Sequence, residues 1–338
     1  MNESKNSVKR FAAAVLSLVF ALISVFSIAC SSGGGNNGGF HVKEFVKRDG
    51  FSVNYIDVGE GDAIFINFGD GKTMLIDSGE KGRGNFAAIK EYLDAYCNGV
   101  LDFFLITHTD SDHAGNAASV AEYIDVKRAF LPDVAFTSGF PDYESAENAL
   151  KENGAEIIRS AAGRSILGEN YILAFLSPNA KGTADSAYDR LNADEFPSSS
   201  AINDVSPIVY LEYLGVRFVF TGDAGISQEK AATDNVDAGF IDRFLKRENA
   251  VDLNGVDFLK VSHHGAADAS GREFLNRLVP AYAIISVGGN NYFGHPATET
   301  LTRIYEVNPL CKVLRTSDSG TINVCVSDKG EIAVYTVA

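Results

Sequence analysis

Cysteine is scarce in this 338-residue chain, which has four. Cys30 closes an apolar N-terminal run; the other three, Cys97, Cys311 and Cys325, are odd in number and widely spaced. That pattern excludes a disulfide framework. Cys311 and Cys325 fall in strands expected to be neighbours and could pair; the plainer expectation is buried free thiols. Positive charge is also short, with 29 Lys and Arg against 44 Asp and Glu and a formal charge of −15. Gripping nucleic acid by phosphate neutralisation calls for a basic surface, so this balance excludes tight, sequence-blind binding unless metal ions supply local positive charge. No run after residue 30 is apolar enough to span a bilayer. With 46% apolar residues, the chain can bury a sizeable core and is neither fibrous nor wholly disordered.

The N-terminus reads as a targeting segment. Lys5, Lys9 and Arg10 precede an uncharged run from Phe11 to Ile28, and Ser27-Ile28-Ala29 places small residues at a signal-peptidase site, with Cys30 next. This resembles a bacterial lipobox, with Ser27 in place of the usual Leu; plain secretory cleavage and an uncleaved anchor are the other readings. All three place the functional part outside the cytoplasm, held to a membrane only through this anchor if at all. Residues 31–39, SSGGGNNGG, cannot bury a core and read as a flexible tether. A folded domain is expected over 40–338.

From residue 50 onward, strand and helix patterns alternate. Phe51–Asp57, Asp62–Phe68 and Lys72–Asp77 read as consecutive strands separated by Gly-rich breaks. Asn85–Cys97, Asn116–Ile124 and Asp142–Asn153 read as helices, and Asp102–Thr107, Arg128–Leu131 and Tyr171–Leu176 as strands. Residues 179–203 are polar and predict a long surface loop. The second half predicts a hairpin from Ile208 to Thr221 around Leu214-Gly215 and a helical stretch over Ser227–Lys246. Strands follow at Asp257–Val261, Ala283–Val287, Lys312–Arg315, Thr321–Val326 and Ile332–Val337, with helices at Arg272–Leu278 and Thr298–Glu306. This order suits an α/β fold of two sheets packed face to face with helices outside.

Six histidines are present. His41 lies beside the tether and reads as a solvated side chain; the other five sit in short polar motifs at strand ends. The strongest motif is Thr107-His108-Thr109-Asp110-Ser111-Asp112-His113-Ala114-Gly115, between a strand and a helix. It offers four metal-ligand types within six residues: His108 and Asp110 for one ion, Asp112 and His113 for a second. A polar helix cap would account for one of these residues, not four. Asp223, after Phe220-Thr221-Gly222, can bridge two metals, and His263–His264 end another apolar strand. Lys260, in that strand, reads as structural.

The segments LIDSG (75–79), THTDSDHAGN (107–116), FTGDA (220–224) and LKVSHHG (259–265) resemble the successive motifs of the metallo-β-lactamase superfamily. DVGEGDA (57–63), NDVS (203–206) and YFGHP (292–296) narrow the resemblance to the hydrolase domain of ComEC-type competence proteins, over roughly residues 50–327. The resemblance implies a metallo-β-lactamase αββα sandwich and two divalent ions, Mn or Zn, on His108, Asp110, Asp112, His113, Asp223 and the His263–His264 pair. Asp77, Asp57, Asp62, Asn203 and Asp204 are expected to support these ligands, and Asp112 and His295 to act in catalysis. His295 reads as a leaving-group acid, a phosphate contact, or the surface histidine of a Gly-His-Pro turn.

This sequence departs from the family at Asp110, which stands where a second His is usual, and at Glu60, which replaces a Gln. No His lies between His113 and His263, so the third histidine is absent and Asn203 or Asp204 is expected in its space. These departures argue against β-lactam hydrolysis, and no DNA-import role carries over. The expected function is phosphodiester or nuclease-like hydrolysis of a phosphoester, with nucleic acid among the candidate partners. The alternatives are a cell-surface phosphoesterase of the phosphorylcholine esterase kind and a non-catalytic binding lipoprotein.

Overall fold

The structure, a computed structural model, describes residues 45–135, 139–194, 197–247, 250–289 and 291–337. The expected leader, tether and His41 lie outside the described residues. Fifteen strands are described: β1 (Phe51–Tyr55), β2 (Ile64–Asn67), β3 (Thr73–Ile76), β4 (Val100–Leu105), β5 (Asp125–Leu131), β6 (Glu156–Arg159), β7 (Ser165–Leu167), β8 (Tyr171–Phe175), β9 (Val209–Tyr213), β10 (Val216–Phe220), β11 (Phe258–Lys260), β12 (Tyr282–Ile285), β13 (Lys312–Arg315), β14 (Thr321–Val326) and β15 (Ile332–Val337). They form an eight-stranded sheet, β15-β14-β1-β2-β3-β4-β5-β6, and a seven-stranded sheet, β13-β12-β11-β10-β9-β8-β7.

Side-chain alternation divides the core into layers, because successive residues of a strand point to opposite faces. Phe51, Val53 and Tyr55 of β1, Ile64 and Ile66 of β2, and Phe218 and Phe220 of β10 meet in one inter-sheet cluster. Phe51 stacks on Tyr213 of the other sheet with centroids 4.0 Å apart. The intervening residues serve the outer layers. Phe65 and Leu75 pack with Ile89 and Leu93 of helix Arg83–Tyr96, and Val219 and Leu259 with Leu275 and Leu278 of helix Arg272–Leu278. Helices therefore cover both outer faces, as the αββα expectation requires.

Pairing in each sheet changes direction midway. β1, β2 and β3 are antiparallel neighbours, whereas β3, β4, β5 and β6 run parallel, as do β10, β11, β12 and β13. Parallel strands end together, and the crevice beyond their carboxyl ends is where open α/β sheets place ligands. Here those ends bring the turns after β3, β4, β10 and β11 to one edge of the sandwich.

Two expectations are corrected. Residues 179–203 are not one long loop: helices Ala187–Ala193 and Ser199–Asn203 form there. Each is capped by a serine hydroxyl, and Tyr188 and Leu191 are buried. Cys311 and Cys325 do not pair. Cys311 precedes β13 of one sheet and Cys325 lies in β14 of the other, and both thiols are free, as is Cys97. Among the described residues no helix is long and apolar enough to cross a membrane.

Candidate metal centre

The turn after β4 is built on Asp77, which ends β3 with a left-handed φ of 57°. Its carboxylate is fully buried. It accepts from the Thr107 backbone N–H (2.8 Å) and the Thr107 hydroxyl (2.7 Å) and contacts His113 Nδ1 (2.8 Å). One carboxylate thus fixes both ends of the His108–His113 segment. The short helix Ser111–Ala114 follows, with Asp110 at its N-cap; the Asp110 side chain makes no capping bond and is free for another use. Gly61 packs on this turn with φ +111°, where a Cβ would lie 2.0 Å from the Asp112 carbonyl oxygen.

Four residues converge at one point. His113 Nε2 lies 3.2 Å from Asp223 Oδ1, 3.3 Å from His264 Nε2 and 3.8 Å from Asp112 Oδ2. His264 Nε2 lies 3.2 Å from Asp112 Oδ2 and 3.5 Å from Asp223 Oδ2. The tautomers follow from the far sides of the rings. His113 Nδ1 faces the Asp77 carboxylate and His264 Nδ1 the Ser286 carbonyl at 2.8 Å, and both partners only accept. Each Nδ1 therefore carries a proton, and in its neutral form each ring would aim an Nε2 lone pair at the other. Two lone pairs and two carboxylates facing one point need a cation. Donors roughly 2.0–2.2 Å from a tetrahedral ion stand about 3.3–3.6 Å apart, and the measured spacings bracket that range.

The same demand appears in the proton affinities. Burial opposes charge on these groups, but His113 and His264 hold Asp223 and Asp112 below the usual carboxylate range. Against burial, Asp223 and Asp112 push His264 up to about 10, and the carboxylates around His113 raise it well above 6.5. Protons meet the need for positive charge that a divalent ion would otherwise meet.

The second expected position is only partly assembled. His108 Nε2 lies 3.7 Å from Asp110 Oδ2, and the His108 and His113 rings are 4.2 Å apart. His108 Nε2, Asp223 Oδ1 and Asn203 Oδ1 are buried and without a hydrogen-bond partner. These orphaned acceptors suit a second cation beside the first. His264 joins the four-residue cluster; His263 instead turns toward the cleft, 3.8 Å from Asp223 and 3.5 Å from the Asn203 amide. Both histidines have left-handed φ values, 49° and 52°, so the backbone turns sharply between them.

The remaining expected residues divide. Asp204 accepts from the Ser227 hydroxyl at 2.7 Å and braces the turn after Asp223. The Asp57 carboxylate accepts from Gly59 N–H within its own turn (3.3 Å). Asp62 lies buried behind the ligand histidines, 2.5 Å from Lys260 Nζ. Glu60 accepts from Gly288 N–H at 3.0 Å. The His295 ring stands 5.4 Å from that of His263, and burial, then His263 and His264, lower its proton affinity. Lys260, read from the sequence as structural, has a buried carboxylate partner, Asp62, that the sequence did not indicate. It shares the inward face of β11 with Phe258, and a lysine at an inward position signals a buried charge with a partner.

A cleft of about 1040 Å³ opens over the cluster. Glu60, Glu80 and Asp268 line it beside Asp110, Asp112 and Asp223; Tyr292 and Phe293 stand at its rim; among the described residues that line it there is no Lys or Arg.

Sequence comparison finds the same superfamily that the motifs resemble. The sequence profile described as the metallo-beta-lactamase superfamily matches residues 56–158. The chain is 28% identical over 299 residues to ComE operon protein 3 of Bacillus subtilis, covering 84% of this chain and 34% of that protein. It is 25% identical over 278 residues to Recombination protein 2 of Haemophilus influenzae, covering 81% and 29%. The chain thus spans about a third of the length of these curated relatives. Among solved structures it is similar to the metallo-beta-lactamase fold protein YhfI of Bacillus subtilis, at TM-score 0.45 and 10% identity over 84% of this chain and 100% of that one. It is also similar to Igni18, a metallo hydrolase of Ignicoccus hospitalis, at TM-score 0.42 and 15% identity over 85% and 100%. With its motifs in order and the sandwich formed, this chain is similar to metallo-β-lactamase-superfamily proteins and to ComEC-type competence proteins, and it has a metallo-hydrolase fold with clustered metal-ligand residues.

Proposed function

We propose that this protein is a dinuclear, metal-dependent phosphodiester hydrolase acting outside the cytoplasm. The observation that carries it is the convergence of four metal-ligand side chains, Asp112, His113, Asp223 and His264, on one point, with the Nδ1 of each histidine engaged behind it so that Nε2 faces the point. In this reading these four would hold one ion, and His108 and Asp110, with the nearby Asp223, would hold a second. Two divalent ions there supply an activated water nucleophile at neutral pH and offset negative charge on the phosphoryl group. Asp77 and the Ser286 carbonyl keep the ligand imidazoles in the tautomer that presents Nε2. His295, its proton affinity lowered, is neutral at pH 7 and serves as an N–H contact to the phosphoryl group rather than as a proton reservoir. The acidic lining of the cleft, with Glu60, Glu80 and Asp268 beside the ligand carboxylates and no Lys or Arg among the described lining residues, favours, as a second reading, a compact phosphoester on a cell-wall or lipid-linked polymer over a nucleic-acid strand.

The test is metal analysis of the purified protein, followed by titration of metal-free protein with Mn²⁺ and Zn²⁺ against phosphomonoester, phosphodiester and nucleic-acid substrates. Asp110, Asp112 and Asp223 make the site oxygen-rich, and hard oxygen donors suit Mn²⁺ better than an imidazole-rich site does. The expected result is higher phosphodiester turnover with Mn²⁺, and a shift toward Zn²⁺ in Asp110→His. Bound metal without turnover of any phosphoester would leave the binding-protein alternative; absence of bound metal would overturn the reading.

A further inference from the structure

The motif LKVSHHG contains a residue that the proposed chemistry does not use. Lys260 is completely buried, and its Nζ lies 2.5 Å from Asp62 Oδ2 and 3.2 Å from the Gly222 carbonyl oxygen. Asp62 is itself buried behind the ligands, with Oδ1 3.8 Å from His264 Nδ1 and Oδ2 4.0 Å from His113 Nδ1. Its main chain also grips the ligand turns: its N–H donates to the Asp112 carbonyl (3.2 Å), and its carbonyl accepts from Gly79 N–H (2.8 Å). A carboxylate so placed competes for the Nδ1–H of both histidines. Those protons are engaged elsewhere, by Asp77 and by the Ser286 carbonyl. The Lys260 ammonium is the group that occupies Asp62.

We propose that Lys260 is a positioning residue for the metal centre: it holds the Asp62 carboxylate away from the ligand histidines and ties it to the Gly222–Asp223 turn. The inference rests on the metal-binding reading above but not on the identity of the substrate. Removing one partner of a buried ion pair leaves an uncompensated charge. In Lys260→Met that charge is relieved by drawing an Nδ1–H from Asp77 or Ser286, which turns a ligand ring away from its neighbours. Residues that orient metal-binding side chains typically change metal affinity by roughly 10–100-fold when lost.

The experiment measures Mn²⁺ and Co²⁺ affinity of the full chain by competition with a chromophoric chelator, together with the visible absorption spectrum of the Co²⁺-loaded protein. Lys260→Met is expected to bind about tenfold or more weakly and to show an altered Co²⁺ spectrum. Asp62→Asn/Lys260→Met, which removes both charges, is expected to recover most of the affinity and the original spectrum. Should circular dichroism show Lys260→Met unfolded, the paired variant alone decides, with affinity within about threefold of the unmodified protein expected. A Lys260→Met protein with unchanged affinity and spectrum, its loss confined to thermal stability, would overturn the positioning role. So would a folded paired variant that binds tenfold or more weakly than the unmodified protein. Failure of the unmodified protein to bind either ion would overturn the metal reading itself, and this inference with it.

Discussion

Replacing Asp77 by Asn changes one atom and removes one charge at the base of the ligand turn, and its consequences can be worked from the geometry. Asp77 Oδ1 accepts from Thr107 N–H, and Oδ2 accepts from the Thr107 hydroxyl and faces His113 Nδ1. Asn has one acceptor oxygen and one NH₂. If the oxygen faces His113, the NH₂ confronts the Thr107 N–H at 2.8 Å, donor against donor. If the oxygen faces Thr107, the NH₂ points at His113 Nδ1. The imidazole must then move its proton to Nε2, where it faces Asp223 and His264 and closes the lone pair to a metal. The first arrangement loses a buried, charge-assisted bond worth about 1.5–3 kcal/mol. The second costs roughly 10–100-fold in metal affinity, or about 1.4–2.7 kcal/mol. Asp77→Asn is therefore expected to weaken metal binding at least tenfold in chelator competition, or to lower unfolding stability by about 1.5 kcal/mol or more in urea. A variant with affinity within twofold and an unchanged urea midpoint would refute the claim that Asp77 sets the His113 tautomer.

The remaining predictions concern pH, packing and location. Raised histidine pKa values stabilise the metal-free protein fully below the ordinary value of 6.5 and lose that contribution as pH rises toward about 10 for His264. The depressed Asp112 and Asp223 contribute above 3.8 and lose it as pH falls further. The contribution of this cluster to metal-free stability therefore peaks between about pH 4 and 6.5, while apparent metal affinity climbs from pH 6 to 9 as bound protons are displaced; thermal unfolding and chelator competition against pH check both, and a flat affinity profile would contradict the reading. Gly61→Ala forces a Cβ into the Asp112 carbonyl at a φ that L residues avoid; a loss of about 1–3 kcal/mol, with weaker metal binding, is expected in denaturant titration, and an Ala variant as stable as the unmodified protein would contradict the close approach. Labelling of cells with a lipid precursor should mark the protein through Cys30 and fail in Cys30→Ala; native protein found only in the medium would point to cleavage after Ala29 instead.

Some of this was legible in the sequence for simple reasons. FSVNY alternates apolar with polar or small residues over five positions, and VRFVF is an apolar run broken only by Arg217; both form strands. The His108–His113 turn was legible because its ligands are neighbours in the chain, so strand and turn geometry alone bring them together. Residues 179–203 were not, because helices of five and seven residues are too short for a periodic apolar stripe to stand out among Ser, Asp and Asn. β7, three residues long, gave no run to find.

Local chemistry alone therefore determined the layered α/β class, the metal-ligand character of the turn after β4, and the candidacy of Asp223 and the paired histidines. Tertiary structure decided what depends on groups far apart in the chain. Asp77 and His113 meet on one sheet, whereas Asp223 and His264 arrive from the other. Which histidine of the pair joins the cluster is set by two left-handed residues and by the Ser286 carbonyl behind the ring. The partner of Lys260 lies on β2's approach, 198 residues earlier in the chain, and no local pattern carries that distance; only the packing of two sheets brings an ammonium and a carboxylate together where neither can reach water.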